Sequence, residues 1–122
     1  MGIDLGSSDI RIAVLNPNKQ VIHSDEMLYP RGIAIAEDWE ACTTRLIQEI
    51  PRSIKKRLVA CAVDGTSGTL LACNQQGYPL GEALPYHICC SEQKIDLIKM
   101  LPEGGIASSP DSSLARALRL KK

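Results

Sequence analysis

The stretch GIDLGSSDIR, Gly2 to Arg11, brings one strand-like run to a close on an aspartate, a glycine and two serines, then resumes at once. The runs Gly2–Leu5 and Ile10–Leu15 leave only Gly6 to Asp9 between them, too short for a helix but enough for a tight hairpin. Asp4 then stands beside a turn rich in free amides and hydroxyls. Working outward, Ile10, Ile12 and Val14 alternate with Arg11, Ala13 and Leu15, the period of a strand with one apolar face. Asn16-Pro-Asn-Lys19 is turn chemistry, and Val21 to Met27 reads as a third strand. Three strands joined by short loops form an antiparallel meander, which a purely parallel sheet does not contain.

The segment from Ala36 to Ile50 places Trp39, Cys42, Leu46, Ile47 and Ile50 at helical spacing, with Glu37, Asp38 and Glu40 in its first turn, where the helix dipole favours acids. Pro51 ends it. The basic run Arg52 to Arg57 reads as a solvated helix or loop face rather than a phosphate patch. Leu58 to Val63 is a continuous apolar run, expected to be a strand covered on both sides. It enters Asp64-Gly-Thr-Ser-Gly68, after which Thr69 to Asn74 reads as a further strand and Gln75 to Pro79 as a turn. A helix capped by Ser91 and carrying Ile95, Ile98 and Leu101 follows, broken at Pro102 to Gly105. A last helix is signalled by Ser109-Pro-Asp111, with Leu114, Ala117 and Leu118 as its apolar stripe.

The chain has 122 residues, 44% of them hydrophobic, yet contains only one Trp, three Tyr and no Phe, so Ile, Leu, Val and Ala must build the core. That suits one layered α/β domain. Fourteen basic residues balance fourteen acidic ones, which offers no general attraction for nucleic acid or anionic lipid. No run is long enough to span a bilayer and no basic leader precedes the first strand, so the expectation is a soluble, cytoplasmic protein. The five cysteines form no CxxC pair, which fits reduced thiols better than a disulfide framework or a zinc site. Cys42, Cys61 and Cys73 are expected on apolar faces; the vicinal Cys89 and Cys90 are assigned no chemistry.

Three antiparallel strands, a helix and then a central strand is the order of a ribonuclease-H-like core with a mixed sheet, the fold shared by certain nucleases and by the actin, chaperone and sugar-kinase ATPases. First and fourth strands are neighbours in that topology, so Asp4 and Asp64 are expected at one edge. Paired carboxylates there suit a divalent cation, held directly or through water, because hard cations prefer oxygen ligands. The Gly6-Ser7-Ser8 turn suits a phosphate, glycine allowing close backbone approach and consecutive amides and hydroxyls donating to its oxygens. Arg11 adds a fixed positive charge or simply faces solvent. In the second loop, Thr66 and Ser67 supply hydroxyls for a phosphate or a polyol, bracketed by Gly65 and Gly68.

GIDLGSSDIR (2–11), AVDGTSGTLL (62–71) and SSPDSSLARAL (108–118) together resemble the amino-terminal part of the FGGY carbohydrate kinases, nearest to the xylulose and ribulose kinase branch. The resemblance implies one ribonuclease-H-like subdomain over residues 1–122, with a core over 1–74 and a family-specific extension over 75–122. It implies ATP and magnesium as cofactors and transfer of the γ-phosphoryl group to a sugar hydroxyl, a ketopentose being expected. Asp4 would organise the magnesium nucleotide through water, Gly6, Ser7, Ser8 and Arg11 would meet phosphate, and Thr66 and Ser67 would border the sugar. Asp64 is expected to fix its own loop. The segment Pro85-Tyr-His-Ile-Cys-Cys90 departs from the family pattern: it has no counterpart of the sugar-contacting aspartate and arginine, and His87 is expected to be a structural hydrogen-bonding residue.

The resemblance further implies that the catalytic base and the adenosine-holding domain belong to a longer chain, so that this polypeptide alone is an inactive half-site. Its apolar docking face would then meet the remainder of the kinase or a second copy. Two alternatives come from other classes: a ribonuclease-H-like nuclease or junction resolvase, disfavoured by the lack of a basic stripe, and a degenerate kinase relative acting as a binding module.

Overall fold

Alternation along the second strand organises the fold: Ile10, Ile12 and Val14 are 0%, 2% and 2% exposed, while Arg11 and Leu15 face solvent. The structure, a computed structural model, describes residues 1–88, 109 and 112–120. Strands β1 (Gly2–Leu5), β2 (Asp9–Leu15), β3 (Val21–Leu28) and β4 (Ala62–Gly65) form one mixed sheet in the order β3-β2-β1-β4. β1 pairs antiparallel with β2 and parallel with β4. The β2–β3 turn closes on Asn16, whose side-chain oxygen accepts the Gln20 amide at 3.0 Å, with Lys19 in the left-handed region at φ 62°.

Helix α1 (Ala36–Glu49) covers one face of β2 and β3. Cys42, Leu46 and Ile50 join Ile3, Ile10, Ile12, Val14 and Tyr29 in a single core, with Trp39 and Ile47 half-buried against it. Each such aliphatic side chain contributes roughly 1.5–3 kcal/mol when fully buried. The expected stripe is thus present. Of the acids in its first turn, Asp38 is buried. Its carboxylate accepts the Arg31 amide at 2.8 Å and Arg31 Nε at 2.9 Å, and the guanidinium holds that carboxyl below its ordinary range. Asp38 therefore fixes the loop leading into α1 in addition to facing the helix dipole. Pro51 separates α1 from the short helix α2 (Arg52–Lys55), which buries no residue, in keeping with a solvated basic face.

Several expectations are corrected. β4 begins at Ala62 rather than Leu58, and all four of its residues are exposed, not covered on both sides. It is an edge strand among the described residues, and α1 packs on β2 and β3, leaving β4 outside the helix's shadow. Thr69 to Asn74 forms no strand: only two isolated bridges, Leu70 with Leu84 and Cys73 with Pro79, hold this segment. Cys42 is buried but Cys61 and Cys73 are exposed: Cys61 precedes the uncovered edge strand and Cys73 lies in a segment held only by isolated bridges.

The chain divides into two compact units, Met1–Thr66 and Ser67–Lys122. Within the second, the Asn74 side chain accepts the Gln76 and Tyr78 amides at 3.0 and 2.9 Å and Gly77 takes φ 87°, the expected turn. Helix α3 (Ser113–Leu120) is capped by the Ser112 hydroxyl, which accepts the Ala115 amide at 3.0 Å. It buries Ala115 and Arg116; of the expected stripe Leu118 is half-buried while Leu114 and Ala117 are exposed, so the buried face only partly matches the expected one. The Ser91 helix, the vicinal cysteines and Pro110 with Asp111 fall outside the described residues. No helix among the described residues is long and apolar enough to cross a membrane.

Candidate phosphate and cation site

Strand register builds the site. Asp4 lies opposite Arg11 in β2 and opposite Asp64 in β4, and Arg11 lies opposite Glu26 in β3. Residues in register share a face, so Asp64, Asp4, Arg11 and Glu26 form one row across the sheet, on the face away from α1. The neighbouring row is small: Ala62, Gly2, Ala13 and Ser24. Together these leave a shallow cavity of about 340 Å³, lined in part by Gly2, Ala13 and Ala62 and by the charged trio Asp4, Arg11 and Asp64.

Two carboxylates directly opposite each other repel, which a cation relieves. Arg11 supplies part of that relief. Its Nη2 lies 3.0 Å from Asp4 Oδ2 and its Nε 3.1 Å from Asp9 Oδ1, the second an ion pair not aligned as a hydrogen bond. Asp64 Oδ1 accepts the Gly65 amide at 2.9 Å, so this carboxylate does fix its own turn. Asp64 Oδ2 and Asp4 Oδ1 accept no hydrogen bond from the described residues, and both belong to solvent-accessible side chains. Such a donor set, two hard oxygens on adjacent strands with one positive neighbour, fits a divalent cation held through water.

The Gly6-Ser7-Ser8 turn stands at the carboxyl end of β1. Ser7 and Ser8 are exposed, and among the described residues no hydrogen bond claims their amides. Gly6 is buried, and a Cβ placed on it would lie 3.0 Å from the Asp9 carbonyl and 3.2 Å from Arg11 Nη2. A side chain here would crowd the Asp9 carbonyl and the tip of Arg11. Thr66 returns to the same place: its amide and hydroxyl donate to the Leu5 carbonyl at 2.9 and 3.2 Å. Asp4, Gly6, Ser7, Ser8, Arg11, Asp64 and Thr66 therefore all lie in the first unit, at one end of its sheet. Ser67, exposed, opens the second unit.

Two residues of consequence escaped sequence reasoning. Tyr29, 7% exposed, donates its hydroxyl to the Gly6 carbonyl at 3.2 Å and its amide to the Ser8 carbonyl at 3.0 Å, pinning the turn from beneath. Burial first, then the charges of Asp9, Cys42 and Asp4, pushes its phenol up from 10.0 to about 12. The hydroxyl thus remains a donor throughout the neutral range. A folded-state value above the unfolded one means that stability is intact below pH 10 and declines as pH rises towards 12. The loss expected over that window is on the order of 1–2 kcal/mol, solvent screening included. Urea unfolding at several pH values, compared with Tyr29→Phe, checks this: the wild type should fall more steeply above pH 10, and parallel profiles would refute it. In the second unit Arg116, 4% exposed, donates from Nη1 to the Tyr86 carbonyl at 2.6 Å. Gly68 has φ 81°, a backbone conformation that favours glycine, and a Cβ there would stand 2.7 Å from Arg116 Nη2, so a side chain would also displace the guanidinium. The only signals in the sequence were a tyrosine at a strand end and an arginine inside LARAL.

No family model matches the chain. The fold does resemble solved structures: a ligand-bound xylulose kinase and a gluconate kinase, both from Lactobacillus acidophilus, each with TM-score 0.57 and 14% identity over 81% of this chain. The chain spans 22% of the length of either enzyme. At that identity the likeness is one of fold: a mixed-sheet α/β core of the ribonuclease-H-like type.

Proposed function

We propose that this chain forms the phosphate- and cation-handling part of an ATP-dependent carbohydrate kinase, which transfers the γ-phosphoryl group to a hydroxyl of a ketopentose. The observation that carries the reading is the register of Asp4 beside Asp64 on a strand that runs into Ser7 and Ser8, whose amides no hydrogen bond claims among the described residues. Magnesium, when bound, neutralises the charge shared by the phosphate oxygens. Asp4 holds and orients that cation through water, with Asp64 contributing negative charge from the adjacent strand. The Ser7 and Ser8 amides and hydroxyls donate to phosphate oxygens, and Tyr29 keeps the turn in the donating conformation. Arg11, paired with Asp4 and Asp9 in this structure, offsets part of their negative charge and presents its remaining donors to a phosphate. Thr66 and Ser67 border the sugar. The attacking hydroxyl needs a base within hydrogen-bond reach and exclusion of water, which on this reading a longer polypeptide supplies.

Manganese(II) with inorganic tripolyphosphate tests the site directly, since neither needs an adenosine pocket. Titrated into the ¹⁵N-labelled 122-residue chain, the pair is expected to broaden the amide signals of Gly6, Ser7, Ser8 and Thr66 first. Broadening that spares this turn would remove the phosphate assignment.

A further inference from the structure

At the other end of the sheet from the Gly6–Asp9 turn lies a second cavity, about 270 Å³, lined by Val14, Ile22, Ile54, Leu58 and Val59 with Arg57 as its charged side chain. Among the described residues no carboxylate lines it. Its rim is unusually apolar for a surface: Leu15, Ile22 and Val59, all lining it, are 54%, 41% and 98% exposed. Beside it runs the basic segment that the kinase reading leaves unused. Residues 51–60 hold Arg52, Lys55, Lys56 and Arg57 and no acid, a charge of +4. The chain's fourteen basic and fourteen acidic residues then leave ten against fourteen elsewhere, so the remainder carries −4. Among the described residues none of these four cations has a carboxylate within ion-pair distance, while Arg11, Arg31 and Arg45 all do. Lys55 and Arg57 instead donate to the Gln48 and Ser53 carbonyls, at 2.9 and 3.1 Å.

We propose that this end of the sheet docks an acidic segment of a protein partner, one apolar side chain seating in the cavity while carboxylates meet Arg57, Lys56 and their neighbours. Charge complementarity identifies the occupant: four uncompensated cations within six residues exceed what one small monoanion engages, and they steer an acidic chain. A recessed cavity of this size accepts a discrete side chain, an anchor surrounded by a charged rim. Nucleic acid fits less well, since no aromatic lines the site for base stacking. A lipid surface fits less well too, because α2 has four residues and offers no long amphipathic face. The proposal is independent of the kinase reading, and Asp4→Ala should leave this binding unchanged.

The test is a titration of the ¹⁵N-labelled 122-residue chain with a synthetic peptide of alternating glutamate and leucine pairs. A lysine and leucine peptide and vesicles of phosphatidylcholine with phosphatidylglycerol run in parallel. Shifts at Ile22, Ile54, Arg57 and Leu58 are expected with the acidic peptide alone, weakening several-fold as NaCl rises from about 50 to about 500 mM. The double variant Lys56→Glu with Arg57→Glu should bind at least about ten-fold more weakly. Val59→Asp, at a position exposed enough to spare the fold, should weaken binding as well. Absence of shifts, equal binding of the basic peptide, or vesicle binding as tight as that of the acidic peptide would each overturn the assignment.

Discussion

Replacing Ile10 by alanine is expected to cost the first unit about 3–4 kcal/mol, among the larger effects available to a single substitution. Ile10 is 0% exposed and belongs to the cluster that includes Leu46 and Ile50, themselves 0% and 1% exposed. Alanine removes three carbon atoms from this site, and strands β1 and β3 on either side of β2 limit how far the backbone can collapse into the void. Lost transfer energy and a residual cavity therefore add. Small domains hold only about 5–15 kcal/mol in total, so the variant should unfold at markedly lower urea, or populate the unfolded state without any. Ile10→Val keeps the branch at Cβ and should lose only about 1 kcal/mol. Urea titration followed by circular dichroism separates the two. A loss below about 1 kcal/mol for alanine would mean that the covered face of β2 is less tightly packed than its burial implies.

What could be read from residue order alone depended on the range of the interaction involved. The burial of Ile10, Ile12 and Val14 follows from period two, and that of Cys42, Leu46 and Ile50 from the helical repeat; both are local patterns. The position of Asp4 beside Asp64 came from topology: a meander followed by a helix and one more strand left β4 a place along β1. Where reading failed, distant chain decided the outcome. Leu58 to Val63 looked buried because it is apolar, yet pairing begins only where the Ala62 amide donates to the Met1 carbonyl at 3.0 Å, and no helix among the described residues covers that edge. Tyr29 acts on a turn 23 residues away, and Arg116 on a carbonyl 30 residues away. Neither partnership leaves a periodic trace. Asp38 fitted the helix-dipole pattern well enough to hide its bonds to Arg31.

Asp4→Ala is the substitution expected to separate function from folding most sharply. Asp4 is half-exposed and its ion pair with Arg11 lies at the surface, where such pairs contribute about 0–1 kcal/mol. Arg11 keeps Asp9 as a partner at 3.1 Å, so it is not left without a counter-charge, and removing Asp4 also ends its repulsion with Asp64. Stability should therefore change by no more than about 1 kcal/mol. Cation binding at the proposed site should respond very differently, because the substitution removes the carboxylate that stands between Arg11 and Asp64 in the charged row. Binding of manganese tripolyphosphate to the chain should weaken at least about ten-fold, equivalent to 1.4 kcal/mol or more. In a polypeptide that also supplies the base and the adenosine site, phosphoryl transfer should fall by about 10²–10³-fold, the usual effect of removing a group that stabilises developing charge. Asp4→Asn sharpens the comparison: it keeps the shape and one oxygen donor but not the charge, so it should bind the probe nearly as poorly as alanine. If both variants bound manganese tripolyphosphate as well as the wild type while unfolding at the same urea concentration, Asp4 would have no part in holding the cation. The paired carboxylates would then be only a feature of the sheet.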